Sequence, residues 1–136
     1  MANNGPKSVG KILIGVTDKE SDKDRIGNLD EINPRKVGKR FVVGVNREAT
    51  ALNISLEAYI SKWKEGISNT ELSVGLRDDV LSHLDFHQFY GLGVITITVP
   101  PQSEMTYVGE DTYFRKVDST IKAETAKQIA AIAKRF

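Results

Sequence analysis

The chain has 136 residues and no cysteine, which leaves room for one domain and excludes a disulfide framework, a cysteine zinc site and a thiol nucleophile. Hydrophobic residues make up 40% of it, enough for a core. No run approaches the roughly 18 apolar residues of a membrane span, and Met1–Gly10 has no apolar stretch of the secretory-signal type. A formal net charge of +1 means that any binding of nucleic acid must come from a local patch rather than from the overall field. The cysteine-free composition points to the cytosol.

Residues 1–10, small and polar with Gly5, Pro6 and Gly10, are predicted to form a loop. Gly5 to Lys11 nearly spells a phosphate-binding loop, but Ile12 stands where a Mg²⁺-ligating hydroxyl is required. A strand pattern follows where a helix N-terminus should meet the phosphate. Lys11–Thr17 reads as a buried strand, Asp18–Asp24 as a charged turn, and Arg25–Ile32 as a short helix ended by Asn33-Pro34. Phe41–Val45 fits a strand or the lead-in to a helix, and Arg47–Leu52 a short helix. Ser55 is a suitable N-cap, after which Leu56, Ile60, Trp63 and Ile67 recur at helical spacing beside Tyr59 and predict a core-facing stripe.

From Val80 to Tyr90 the pattern alternates, with Val80, Leu84 and Phe86 on one face and His83, Asp85 and His87 on the other. Gly91-Leu92-Gly93 reads as a tight turn. Val94–Val99 alternates again up to Pro100-Pro101, so an antiparallel hairpin with one buried face is predicted. Thr112–Val117 is a further strand, and a last helix over about Glu124–Arg135 takes Ala126, Ile129, Ala130 and Ala133 as its apolar side. No internal repeat is evident. The predicted class is α+β in a single domain, residues 1–136: a mixed or antiparallel sheet with a β-hairpin, packed by helices including a C-terminal one.

Charge is uneven. The densest basic run is Arg35, Lys36, Lys39, Arg40 and Arg47, with no acidic residue between Pro34 and Arg47. It reads as a solvated face or as an edge that contacts phosphates. His83, Asp85 and His87 at alternate positions could ligate a metal, but any half-exposed strand shows such a row, and the chain has no third histidine. Asp18 ends a strand, a position shared by catalytic carboxylates and by ordinary turn residues. Thr112–Lys122 interleaves Tyr113 and Phe114 with Arg115, Lys116 and Lys122, as a base-stacking surface would, or as in–out alternation in a sheet would.

Three segments, in order, resemble the Schlafen-type AlbA-like domains: Ala2-Asn3-Asn4-Gly5 with Gly10-Lys-Ile-Leu-Ile-Gly-Val-Thr-Asp18; Val94 to Ser103 with its Val-Pro ending; and Tyr113-Phe-Arg-Lys-Val-Asp-Ser-Thr-Ile-Lys-Ala123. They bracket most of the chain, and residues 35–90 stand as a candidate insertion. The family is associated with DNA binding and with the name divergent AAA. Where it has Gly-Ser, this chain has Val117-Asp118; valine does not favour the positive φ that glycine allows, and Asp118 would repel a phosphate. The family's nuclease branch combines two upstream glutamates with the aspartate that Asp18 matches. Those glutamates have no counterpart here, so the resemblance implies an N-terminally shortened piece of a larger protein that is not an enzyme by itself.

The resemblance and the basic run together predict a nucleic-acid-binding or regulatory module, for DNA or RNA, without a cofactor or metal. Its phosphate contacts would be Lys36, Lys39, Arg40, Arg115, Lys116 and Lys122, with Tyr113 or Phe114 as a stacking platform. The alternatives are an oligomerisation or protein-interaction module, for instance a homodimer, and part of a metal-dependent nuclease centred on Asp18.

Overall fold

The structure is a computed structural model that describes residues 1–136. After a single 3-10 turn at Ala2–Asn4 the elements are β1 (Gly10–Ile14), β2 (Val16–Thr17), α1 (Glu20–Leu29), β3 (Arg35–Val37), β4 (Arg40–Val42), α2 (Asn46–Ala51), α3 (Leu56–Ser68), α4 (Val74–Ser82), β5 (Leu84–Phe89), β6 (Leu92–Val99), β7 (Tyr113–Lys116), β8 (Ser119–Lys122) and α5 (Ala126–Ala133). The strands form three small sheets, β1-β6-β5, β2-β4-β3 and β7-β8. The class is α+β with a C-terminal helix, as expected, and no helix is long and apolar enough to cross a membrane. The chain packs as two compact units. The first is Met1–Lys11, Glu65–His83 and Thr98–Phe136; the second is Ile12–Lys64 and Leu84–Ile97.

In the second unit the strand predicted over Lys11–Thr17 is cut in two at Gly15. Ile14 ends β1 in one sheet, while Val16 already pairs with Val42 of β4 in another. Gly15 makes this switch at φ 94, a region that L side chains rarely adopt. Its carbonyl accepts the N–H groups of both Val43 and Gly44 at 2.9 Å. A Cβ at Gly15 would sit 2.9 Å from the Gly93 carbonyl oxygen. Gly93 is fastened on its other side: its N–H donates to Asn46 Oδ1 at 2.6 Å, and its carbonyl accepts from Val45 at 2.9 Å. Around this junction Val42, Val43, Val45, Ala49, Ile95 and Ile97 form the core. Ile12 and Leu13 are exposed rather than buried, because β1 is an edge strand.

Helix α1 starts at Glu20, not Arg25, with Glu20 and Asp22 placed at its positive end. It stops at Leu29 because Glu31 turns to φ 52 and Ile32 donates back to Gly27 at 3.3 Å, a Schellman closure ahead of Pro34. Helix α2 closes the same way, with Asn53 at φ 54 and Ile54 donating to Ala49 at 3.1 Å. Ser55 Oγ caps α3 by accepting from Ala58 N–H at 3.1 Å. Its predicted stripe is only half-buried, and Tyr59 is the buried member. The β5–β6 hairpin turns at Tyr90-Gly91, one residue before the predicted turn, with φ 51 and 74. Gly93, Ile95, Ile97 and Val99 then point inward as the alternation predicts.

In the first unit, Val80–Ser82 closes helix α4 instead of opening a strand, and β5 begins only at Leu84. Leu76 and Val80 are buried one helical turn apart. Helix α5 is held by a capping box between Thr125 and Gln128. Its buried residue is Ile132, 1% exposed, while Ala126, Ile129, Ala130 and Ala133 face outward, opposite to expectation. Asn3, 4% exposed, is the polar centre. Its amide nitrogen lies 2.9 Å from the Thr106 carbonyl, 2.9 Å from Thr112 Oγ1 and 2.8 Å from the Tyr113 carbonyl. Its Oδ1 accepts from Thr106 N–H at 2.8 Å, and its backbone carbonyl accepts from Arg135 at 3.0 Å.

Both units contain one succession that the sequence did not reveal as a repeat: a hairpin with a two-residue turn, a three-residue link, then a helix. These are β3-β4-α2 and β7-β8-α5. Arg35-Lys36-Val37 and Arg115-Lys116-Val117 lie 80 residues apart, as do the helix starts Asn46 and Ala126. At that offset the turns are shifted by one position, Gly38-Lys39 against Val117-Asp118.

Two substitutions test these anchors by urea unfolding. Asn3→Ala leaves several buried polar groups unpaired and is expected to lower stability by about 3 kcal/mol. Gly15→Ala adds backbone strain and a collision with the Gly93 carbonyl, and is expected to cost about 2 kcal/mol or more.

Candidate nucleic-acid interface

Hairpin β3–β4 in the second unit carries the first set of predicted residues. Its register pairs Arg35 with Val42, Lys36 with Phe41 and Val37 with Arg40. Arg35, Val37, Arg40 and Val42 therefore share one face, Lys36 and Phe41 share the other, and Lys39 occupies the turn. All four cations are exposed, and none has an acidic group within 4.0 Å. The buried Phe41 ring supports the ammonium groups of Lys36 and Lys23, 5.9 and 5.2 Å from its centroid. Arg47, the last member of the basic run, is spent in the fold. It lies 3.1 Å from Asp30 and 3.3 Å from Glu48, and its Nε is buried without a partner. Glu48 also accepts from the Tyr59 hydroxyl, whose pKa is raised by burial and then by this hydrogen bond.

Hairpin β7–β8 in the first unit carries the second set. Tyr113 and Arg115 share a face with Lys122 and Thr120; Phe114 and Lys116 share the other with Ile121 and Ser119. Lys116 is exposed and free of ion pairs, and Arg115 reaches Thr120 Oγ1 at 3.4 Å. Lys122 is engaged: its Nζ lies 2.7 Å from Asp111 Oδ2, and that hydrogen bond raises its pKa above the ordinary lysine value. Tyr113 and Phe114 are both half-buried, which limits the ring area open for stacking. The segment after this strand, Ser119–Lys122, forms strand β8. Its turn residue Val117 adopts φ 56 and is 91% exposed, so the chain takes the positive φ that valine disfavours.

The other candidates are not drawn together. His83 ends α4, with Nδ1 2.8 Å from the Asp79 carbonyl, while Asp85 and His87 stand exposed on β5. No three His, Asp or Glu side chains converge anywhere, and Asp18 stands exposed between β2 and α1. The open cleft beside α4 is lined by Asp79, Gln102 and Glu104 and offers no cation to a phosphate.

Sequence reasoning passed over one contact. The Arg35 guanidinium lies over the Tyr90 ring, 4.7 Å from its centroid. The available signal was Tyr90-Gly91 at a hairpin turn where Asn-Gly is the low-strain choice. No family model, characterised protein or solved structure matches the chain.

Val117 yields a prediction about the second hairpin. Only the first turn residue has positive φ, which is type II′ geometry and favours glycine. Val117→Gly is expected to raise stability by about 0.5–1 kcal/mol, read as a higher urea midpoint with an unchanged slope.

Proposed function

We propose that this chain binds nucleic acid through the phosphate backbone, with hairpin β3–β4 as the principal contact and Arg115 and Lys116 of β7–β8 as a lesser one. The carrying observation is that Arg35, Lys36, Lys39 and Arg40, within six residues, are all exposed and all without an acidic partner. Unpaired cations on a short rigid hairpin form a local positive field that a net charge of +1 does not cancel at close range. The likeness to Schlafen-type AlbA-like domains supports the same reading, as does the role it implies, a regulatory module acting within a larger protein. The second hairpin contributes less because Asp118 sits in its turn and Lys122 is held by Asp111.

Four phosphate contacts predict an affinity that falls about 50- to 150-fold between 50 and 200 mM salt. Fluorescence anisotropy with labelled oligonucleotides measures this directly. Replacing Lys39 and Arg40 together by Glu should weaken binding at least about tenfold and flatten the log–log salt slope by about 1.5 to 2. Unchanged affinity and slope in that variant would overturn the assignment.

The outward apolar side of α5, formed by Ile129 with Ala126, Ala130 and Ala133, favours a second reading, self-association without nucleic acid. It predicts a concentration-dependent dimer in sedimentation that Ile129→Glu abolishes. A chain that stays monomeric removes it.

A further inference from the structure

We infer that Tyr90, held by Arg35, is a base-stacking site, and that the ligand is therefore a nucleic acid with unpaired bases. This deepens the proposed phosphate-binding function and rests on it. Tyr90 is 71% exposed, a large apolar area for a ring whose hydroxyl engages no other side chain. The ring is nonetheless held in place. The Arg35 guanidinium lies 4.7 Å from its centroid, and Phe89 meets it in a T-shaped contact at 4.7 Å and 84°. A fixed, exposed aromatic with a guanidinium beside it matches the way single strands are bound, since every base offers a π-face to stack and Arg adds a cation–π term.

The backbone under Tyr90 strengthens this reading. Tyr90 and Gly91 have φ 51 and 74, the geometry in which Asn-Gly is preferred and a bulky residue is strained. Stability alone would not select tyrosine there, and strain of this kind concentrates at functional sites. The position also fits the phosphate surface. Arg35 shares its hairpin face with Arg40, diagonally across the strand pair at a spacing of roughly 7–8 Å. A base on Tyr90 thus leaves its own backbone near Arg40 and the Lys39 turn. Duplex DNA keeps its bases inside the stack and cannot use the ring, whereas single strands and loops can.

The test compares two probes with the full chain by anisotropy: a labelled oligothymidine of about 12 nucleotides, inside the usual single-strand site size, and an abasic deoxyribose-phosphate chain of equal length. The wild-type chain should bind the oligothymidine about tenfold or more tightly than the abasic chain. Tyr90→Ala should erase that difference, and Tyr90→Phe should keep it. Tyr90→Asn, which suits the turn, should also erase it while melting no lower than the wild type, which separates loss of stacking from loss of fold. Equal wild-type binding of the two probes, or a base preference that survives in Tyr90→Asn, overturns the stacking site and leaves the phosphate reading standing. Failure of the wild type to bind either probe at low salt overturns both.

Discussion

The junction of Gly15 with Gly93 is the constraint on which the candidate site depends. Here backbone meets backbone: one carbonyl takes two N–H groups, and a 2.6 Å bond from Gly93 N–H reaches Asn46. Hairpin β3–β4 leaves this point through Val43 and Gly44, and hairpin β5–β6 leaves it through Gly93. The strands that carry Arg35 and Tyr90 are thus fixed to the same few atoms. Side chains can adjust when a neighbour grows by a methyl group, but a carbonyl 2.9 Å from the added atom moves only with its strand. The Arg35–Tyr90 contact is therefore set by backbone register as well as by the attraction of a cation for a ring.

Asn3 has the corresponding part in the first unit, with a different physics. Both ends of its amide are used inside the core, where a satisfied network specifies one arrangement and a half-satisfied one is costly. This gives the Ala2-Asn3-Asn4-Gly5 motif a reason in folding. Asn3 ties the first turn to the Thr106 segment and to β7, and so orients the strand that displays Arg115. One of the motifs that suggested a family thus has a structural role within the fold.

What was legible in the sequence was local. Ser55 as a cap, the period of two in Val94–Val99 and the short helix after Asn46 depend on neighbours within a few residues. The run from Arg35 to Arg40 was legible because it is contiguous. What was not legible depended on distant partners or on ambiguous periods. Arg47 and Lys122 looked as free as the others, but besides the adjacent Glu48 the Arg47 guanidinium meets Asp30, 17 residues away, and Lys122 meets Asp111, 11 residues away. Val80 and Leu84 are four apart, a spacing that suits a helix face and a strand face alike, so the last turn of α4, Val80–Ser82, fitted a strand pattern as well. In α5 the small alanines gave no side a clear advantage, and Ile132 rather than Ile129 found the core. Val117 and Tyr90 adopt positive φ against their own preference because strands paired on both sides dictate the turn, an instance of tertiary structure overriding propensity.

The two hairpin–helix segments act as an internal control on the functional reading. They share strand, turn, link and helix, so the fold's requirements at these positions can be separated from whatever else selects the residues. At the second hairpin the fold tolerates Asp118 in the turn and neutralises Lys122 with Asp111, and the architecture is retained. That hairpin carries cations too, Arg115, Lys116 and Lys122, but with one of them paired and an acid in the turn. The first hairpin holds four cations with no acid in reach, their mutual repulsion offset only by the rings that Lys36 and Arg35 lie over. The difference between the two hairpins therefore lies in the acids around them rather than in the cations, and it is this acid-free setting on which the proposed phosphate contact rests.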